Sequence, residues 1–230
     1  LGIVIGGTAT FIVAAHVQSY NSWWKGDRGA FHLSVDDAPS LGADKCGHFL
    51  FSYYVSDVIG NSVIWSGVER NKALLYGGLV SLAFQSYVEI EDGFHPELGF
   101  SIGDAVANGV GAFFPLLQER SEFFKSISPK WSFHASNRYH QGLYRSIIDD
   151  YESQTYWLSV NVRQLLGESA PGFIPSFLNL AVGYGVTNRD LRDSGDRELY
   201  IGLDIDFNKL PGEGELLIAL KHFLNFIHLP

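Results

Sequence analysis

The sequence predicts a mainly α protein with a small β part: a membrane-embedded four-helix bundle, then a small antiparallel sheet and a C-terminal amphipathic helix. Three observations predict it. Apolar stretches of helical length fill the first half, small residues recur every four positions in the last of them, and the second half alternates apolar with small or polar residues between turns.

The composition sets bounds on this reading. With 46% hydrophobic, 14% aromatic and 18% charged residues, the chain falls between a soluble enzyme and a polytopic membrane protein, which implies a hydrophobic half and a polar half. A net charge of −9 and the lack of a basic stripe exclude nucleic acid as a partner, because a nucleic-acid binder must neutralise phosphates. Cys46 is the single cysteine and reads as a small helix-packing residue. The chain has no methionine, so its start is expected to be truncated or processed. Residues 1–15 read as the apolar region of a signal peptide, with Ala14 and Ala15 before a cut, or, preferably, as a retained helix.

Residues 1–20 are almost uncharged and end in Trp23, Trp24 and Lys25, like a membrane helix finishing in an aromatic belt. Residues 26–43, with Asp36, Asp37 and Pro39, have no sustained period and read as an extended loop. Helices are expected over 44–65 and 71–92, joined by a short polar connection with Gly67, Glu69 and Arg70 that makes them antiparallel neighbours. A loop over 93–100 leads to a fourth helix over 101–119, on which Gly103, Ala107 and Gly111 form a smooth face for close approach of another backbone.

Beyond it, Lys125, Lys130, Trp131, His134 and Arg138 show no apolar period, so 121–150 reads as a linker or membrane-surface segment. Strands are expected over 156–162, 178–186 and 199–207, too few to close a barrel, and an amphipathic helix over 215–229. The domain organisation is therefore a helical bundle over 1–120, the linker over 121–150, and a β region with its helix over 151–230.

If the second, third and fourth helices run up, down and up, three polar stripes meet at one end: Asp44, His48 and Ser52; Gln85, Glu89 and Asp92; Ser101, Asp104 and Asn108. Bland readings exist for parts of this set. Asp44 sits where a helix N-cap belongs, Ser101 with Asp104 resembles a capping box, and a lone His48 in an apolar helix is commonly a hydrogen-bonded core residue. Glu89, Glu91 and Asp92 resist such a reading, because carboxylates at a helix C-terminus oppose the dipole and repel one another. Lys45 or an arginine, a protonated His48, a divalent metal or solvent would offset them. Carboxylates with one imidazole suit a hard divalent cation or general acid–base hydrolysis, with His48 and Glu89 as catalytic candidates and Asp44, Asp92 and Asp104 as metal-ligand candidates. Nucleophile-elbow, HExxH and P-loop signatures are missing, and His16, His32, His95, His134 and His140 are scattered.

The strings DKCGHF from Asp44, EIEDGFHPELGFSIGDAVANGVGA from Glu89 and DYESQTYWLSVNV from Asp150 resemble a bacterial family of predicted periplasmic lipoproteins of unknown function, the YfiM-like family. NLAVGYG and LYIGLDIDF resemble its longer Bacteroidetes members. The helical part is also similar to the VanZ-like membrane family, whose DK-xx-H helix and S-xx-D-xxx-N helix match Asp44, Lys45, His48, Ser101, Asp104 and Asn108 here, with Glu89 on the acidic helix between them. The resemblance implies a small helical membrane module in the cell envelope and carries no settled reaction. No lipobox cysteine accompanies it.

Two functions follow as expectations. One is a structural or assembly component of the envelope, with membrane lipid and other envelope proteins as partners, the latter through the C-terminal sheet. The other is a membrane enzyme acting on a lipid-linked phosphate or ester, with a divalent metal as the candidate cofactor. The strand-rich tail favours the outer membrane or the periplasmic side over the inner membrane.

Overall fold

In this computed structural model, residues 1–26, 28–34, 39–142, 147–188 and 195–229 are described. The chain divides into two units: Leu1–Pro39 with Asp44–Leu116, and Ser40–Ala43 with Leu117–Pro230. Asp36 and Asp37, in the expected loop, lie outside the described residues.

The first unit is helical. Helix α1 spans Gly2–Ser19 and continues as a π-helical turn, Tyr20–Trp24. Helices α2, Ala43–Trp65, and α3, Arg70–Phe94, are joined by a tight connection in which Gly67 takes a positive φ of 92° and its N–H reaches the Ile64 carbonyl. Glu69 then caps α3 by accepting from the Asn71 and Lys72 N–H groups. Helix α4 spans Ile102–Arg120. Its start is fixed by the preceding loop, where Ser34 donates to the Phe100 carbonyl at 2.9 Å and Gly99, at φ 88°, leaves no room for a side chain beside Ser34.

Small residues bring the helices together, as the sequence suggests. A Cβ on Gly77 would collide with the Ser56 carbonyl of α2, and one on Gly111 with the Phe49 carbonyl. Gly78 faces the Ala112 carbonyl of α4 in the same way. Of the expected Gly103, Ala107 and Gly111 face, Gly111 is the buried member, and the buried line of α4 runs instead through Asp104, Asn108, Gly111 and Ala112. Val55, Ile59, Val63 and Ala73 form an apolar cluster near the α2–α3 connection.

Elsewhere in the bundle many polar side chains are buried and many apolar ones exposed, alongside buried Leu50, Tyr53, Phe84 and Phe114. On α4, Ile102 and Val106 are 62% and 61% exposed while Asp104 and Asn108 are 5% and 1% exposed. Phe51, Val58, Leu75, Leu79 and Ile90 are also exposed, against buried Ser52, Ser56, Ser81, Gln85 and Glu89. Among the described residues, two helices, Gly2–Trp24 and Arg70–Phe94, are long and apolar enough to cross a membrane.

The second unit holds an antiparallel meander of four strands in the order β1 (Ile127–Phe133), β2 (Gln154–Val160), β3 (Leu178–Thr187) and β4 (Asp196–Ile205). Pairs such as Trp131 with Tyr156, Tyr156 with Tyr184 and Val182 with Ile201 set its register. The C-terminal helix, Glu215–Leu224, leads into a segment that returns to β1, where the Trp131 N–H donates to the Phe226 carbonyl and the His228 N–H to that of Trp131. Strand β1 falls inside the segment that reads as a linker in sequence. Its period is hidden because Pro129, tolerated on an outer strand, and Lys130 occupy its buried positions.

Lys130 is wholly buried, 2.6 Å from Asp204 and donating to the Ile205 carbonyl at 2.7 Å. Burial pulls its ammonium below the ordinary lysine value, against the opposing effect of Asp204 and Asp206. Ser159 donates to Asp204 and Asn179 to Ser159, extending the pair into a buried polar network. Removing one partner would strand a charge. Lys130→Ala is therefore expected to lower unfolding free energy by about 3–5 kcal/mol, and joint replacement of Lys130 and Asp204 by Met and Leu to restore most of it, both read by denaturant titration.

His228 stacks on Trp157 with ring centroids 3.8 Å apart and an interplanar angle of 5°, and neither ring nitrogen makes a hydrogen bond of ordinary geometry. Burial lowers its pKa, with Lys130 adding to that effect and Asp204 opposing it. As pH falls below about 6.5, the unfolded chain protonates this residue before the folded chain does, so its stabilising contribution is complete above that pH and is lost below it. His228→Phe, which keeps the stack, is expected to flatten the loss of unfolding midpoint between pH 7.5 and 5.5.

Candidate functional site

The stripes expected from connectivity meet at one end of the first unit. Asn108, on the second turn of α4, is 1% exposed and joins all three helices. Its Oδ1 accepts from Ser52 Oγ of α2 at 2.9 Å and from Gln85 Nε2 of α3 at 3.0 Å, and it lies 3.2 Å from His48 Nδ1. Its Nδ2 donates to Glu89 Oε1 at 3.4 Å. The α2 backbone is held as well, since Ser81 Oγ donates to the Ser52 carbonyl at 2.8 Å.

Glu89 is 2% exposed and serves two helices at once. Its Oε1 lies 3.3 Å from His48 Nδ1, and its Oε2 accepts the Ser101 N–H at 3.3 Å. The expected capping box is thereby divided. Ser101 Oγ accepts the Asp104 N–H at 3.0 Å, as an N-cap does, while Glu89 takes the reciprocal role that the third residue of the box usually fills. Asp104 is left to other partners, and its Oδ1 lies 3.4 Å from Lys45 Nζ.

This arrangement fixes the His48 ring. Nδ1 faces two acceptor oxygens, those of Asn108 and Glu89, which orient the ring and leave Nε2 on the side of Asp44. Nε2 lies 3.6 Å from Asp44 Oδ1, in the first turn of α2. One donor atom each from Asp44, His48 and Asp104 lies within 4.8 Å of the others, the one such group among the described residues. A carboxylate that orients a histidine whose other nitrogen faces further carboxylates is the usual outer-shell pattern of a metal-binding imidazole. A divalent ion fits this donor set in kind, as hard oxygens with one nitrogen.

The carboxylates at the end of α3 have separate partners. Trp24 Nε1 donates to Asp92 Oδ1 at 2.6 Å, Arg28 pairs with Glu91 at 2.6 Å, and Glu89 faces His48. Asp92 thus stands outside the Asp44, His48 and Asp104 group. Its bond to Trp24 was hidden in the sequence because Trp24 reads there as a belt residue; a lone indole N–H next to a polar loop is the only signal for it. Asn108→Ala would leave the Ser52 and Gln85 donors without their acceptor inside the bundle. It is expected to cost about 2–3 kcal/mol of stability, measured by thermal unfolding in detergent, against under about 1 kcal/mol for Arg28→Gln at its exposed ion pair.

Residues 27–120 match the model of a family described as "Predicted periplasmic lipoprotein (DUF2279)". The match takes in α2, α3 and α4 with every member of the polar cluster, and leaves out the sheet. No curated protein and no solved structure matches the chain significantly. The matched part is similar to an envelope, periplasmic lipoprotein family, and this supports an envelope protein of unknown activity.

Proposed function

We propose that the chain is a membrane-embedded component of the bacterial envelope, with a structural or assembly role, in which α1 to α4 lie in lipid and the sheet meets other envelope proteins. The observation that carries this reading is the apolar exterior of the bundle around a partly polar interior. An exterior of Ile102, Val106, Leu79 and Phe51 around an interior of Gln85, Glu89, Asp104 and Asn108 exposes apolar groups to water in solution and is stable in hydrocarbon. In lipid, small-residue contacts and interhelical hydrogen bonds replace the hydrophobic effect between helices, and Gly77, Gly111 and Asn108 supply both. The resemblance to the YfiM-like and VanZ-like families supports the same reading, and the strand-rich tail favours the outer membrane. Alkaline carbonate extraction of cell envelopes tests it: the chain is expected to stay with the membranes, and its release to the supernatant would overturn the embedding.

The ring orientation of His48 favours a second reading of the polar cluster, a membrane enzyme acting on a lipid-linked phosphate or ester. Asp44, His48 and Asp104 would hold a divalent ion, Glu89 would hold the ring, and the ion would polarise a phosphoryl or ester oxygen or activate water. Without an ion, His48 Nε2 is placed to act as a general base. Elemental analysis of purified protein is expected to find divalent metal in the parent chain and less than a tenth of it in a folded His48→Ala variant. Equal metal in the two would leave the structural role as the account of this cluster.

A further inference from the structure

A second group of side chains converges where the end of α1 approaches the end of α3. The π-helical turn Tyr20–Trp24 brings Trp24 against Tyr87 edge to face. The ring centroids of His16, Trp24 and Tyr87 lie 5.9 Å from one another, and Tyr87 Oη shares a 2.8 Å hydrogen bond with His16 Nδ1. Beside them the Arg28 guanidinium sits 4.3 Å over the Phe94 ring and binds Glu91 through two nitrogens at 2.6 and 3.3 Å. These residues line a cavity of about 260 Å³.

The lining presents both signs of charge on an aromatic surface. Ring faces attract a cation, and Glu91 retains lone pairs beyond those that Arg28 occupies. Arg28 spends one edge of its fork on Glu91 and keeps further N–H donors for a phosphate oxygen. The cavity falls below the roughly 300–1,000 Å³ of sites for drug-sized molecules, which suits a headgroup and not a whole lipid. Tyr and Trp at the ends of apolar helices mark headgroup depth in a bilayer.

We propose that this cavity binds a zwitterionic phosphoester–ammonium group, the chemistry of phosphoethanolamine, with its phosphate toward Arg28 and its ammonium against Trp24, Tyr87 and Glu91. The site goes beyond the polar cluster around His48 and rests on the membrane reading only for the source of the group. Full-length protein in maltoside micelles would be titrated with glycerophosphoethanolamine while Trp fluorescence is followed. Saturable binding is expected, at least tenfold weaker in Arg28→Gln and in Glu91→Gln, and at least tenfold weaker for inorganic phosphate or ethanolamine alone. A preference for phosphatidylethanolamine over phosphatidylglycerol vesicles would assign the group to a lipid. Binding of the soluble compound without that preference would assign it to a soluble zwitterion, with the recognition chemistry intact. No saturable binding of either, or equal binding by parent and both variants, overturns the proposal. Flotation of Arg28→Gln with vesicles reads membrane association separately, so loss of the headgroup site and failure of the membrane reading give different results.

Discussion

The end of the helical unit depends on one amide. Asn108 receives hydrogen bonds from α2 and α3 and returns one to Glu89, so three helices are read by a single side chain. A buried polar network of this kind is favourable only when its members are satisfied together. The geometry needs backbones close enough for short side chains to meet, which Gly77 and Gly111 allow by leaving no Cβ at the crossings. The same network sets the chemistry. Asn108 and Glu89 orient the His48 ring through Nδ1, so that Nε2 faces Asp44, and Asp104, its reciprocal capping role taken by Glu89, stands near them.

Polar interiors recur in the second unit. Lys130, Asp204, Ser159, Asn179 and Asn161 are buried in the sheet region, whereas Leu180, Val182, Leu199, Ile201 and Leu203 are exposed on its strands. A lysine with no exposure is tolerable because Asp204 and the Ile205 carbonyl accept from it. Such an interior trades hydrophobic burial for paired polar groups, and much of the chain's large hydrophobic fraction lies on its surface.

Much of this was legible in the sequence and some was not. The helices were visible because their apolar stretches are long and bounded by Gly67, Glu69 and Gly99, residues with definite capping or turn roles. The convergence of His48, Glu89 and Asn108 followed from antiparallel connectivity and a spacing of four. Strand β1 was hidden because a buried lysine and a proline look like loop residues without knowledge of Asp204. The division of labour between Glu89 and Asp104 was equally hidden, since Ser101 and Asp104 fit a local capping box and only tertiary structure shows that Glu89 takes half of it. The bond between Trp24 and Asp92 spans 68 positions and leaves no periodic trace.

The proposed embedding turns the apolar side of the bundle to lipid and its polar side inward. Spin labels on cysteines at Val106 and Val110, exposed on the same helix that buries Asn108, test this directly in a Cys46→Ser background reconstituted into vesicles. The account predicts that both labels collide readily with dissolved oxygen and hardly at all with a water-soluble nickel chelate, as lipid-facing sites do. Ready access of the nickel chelate to both positions would contradict it.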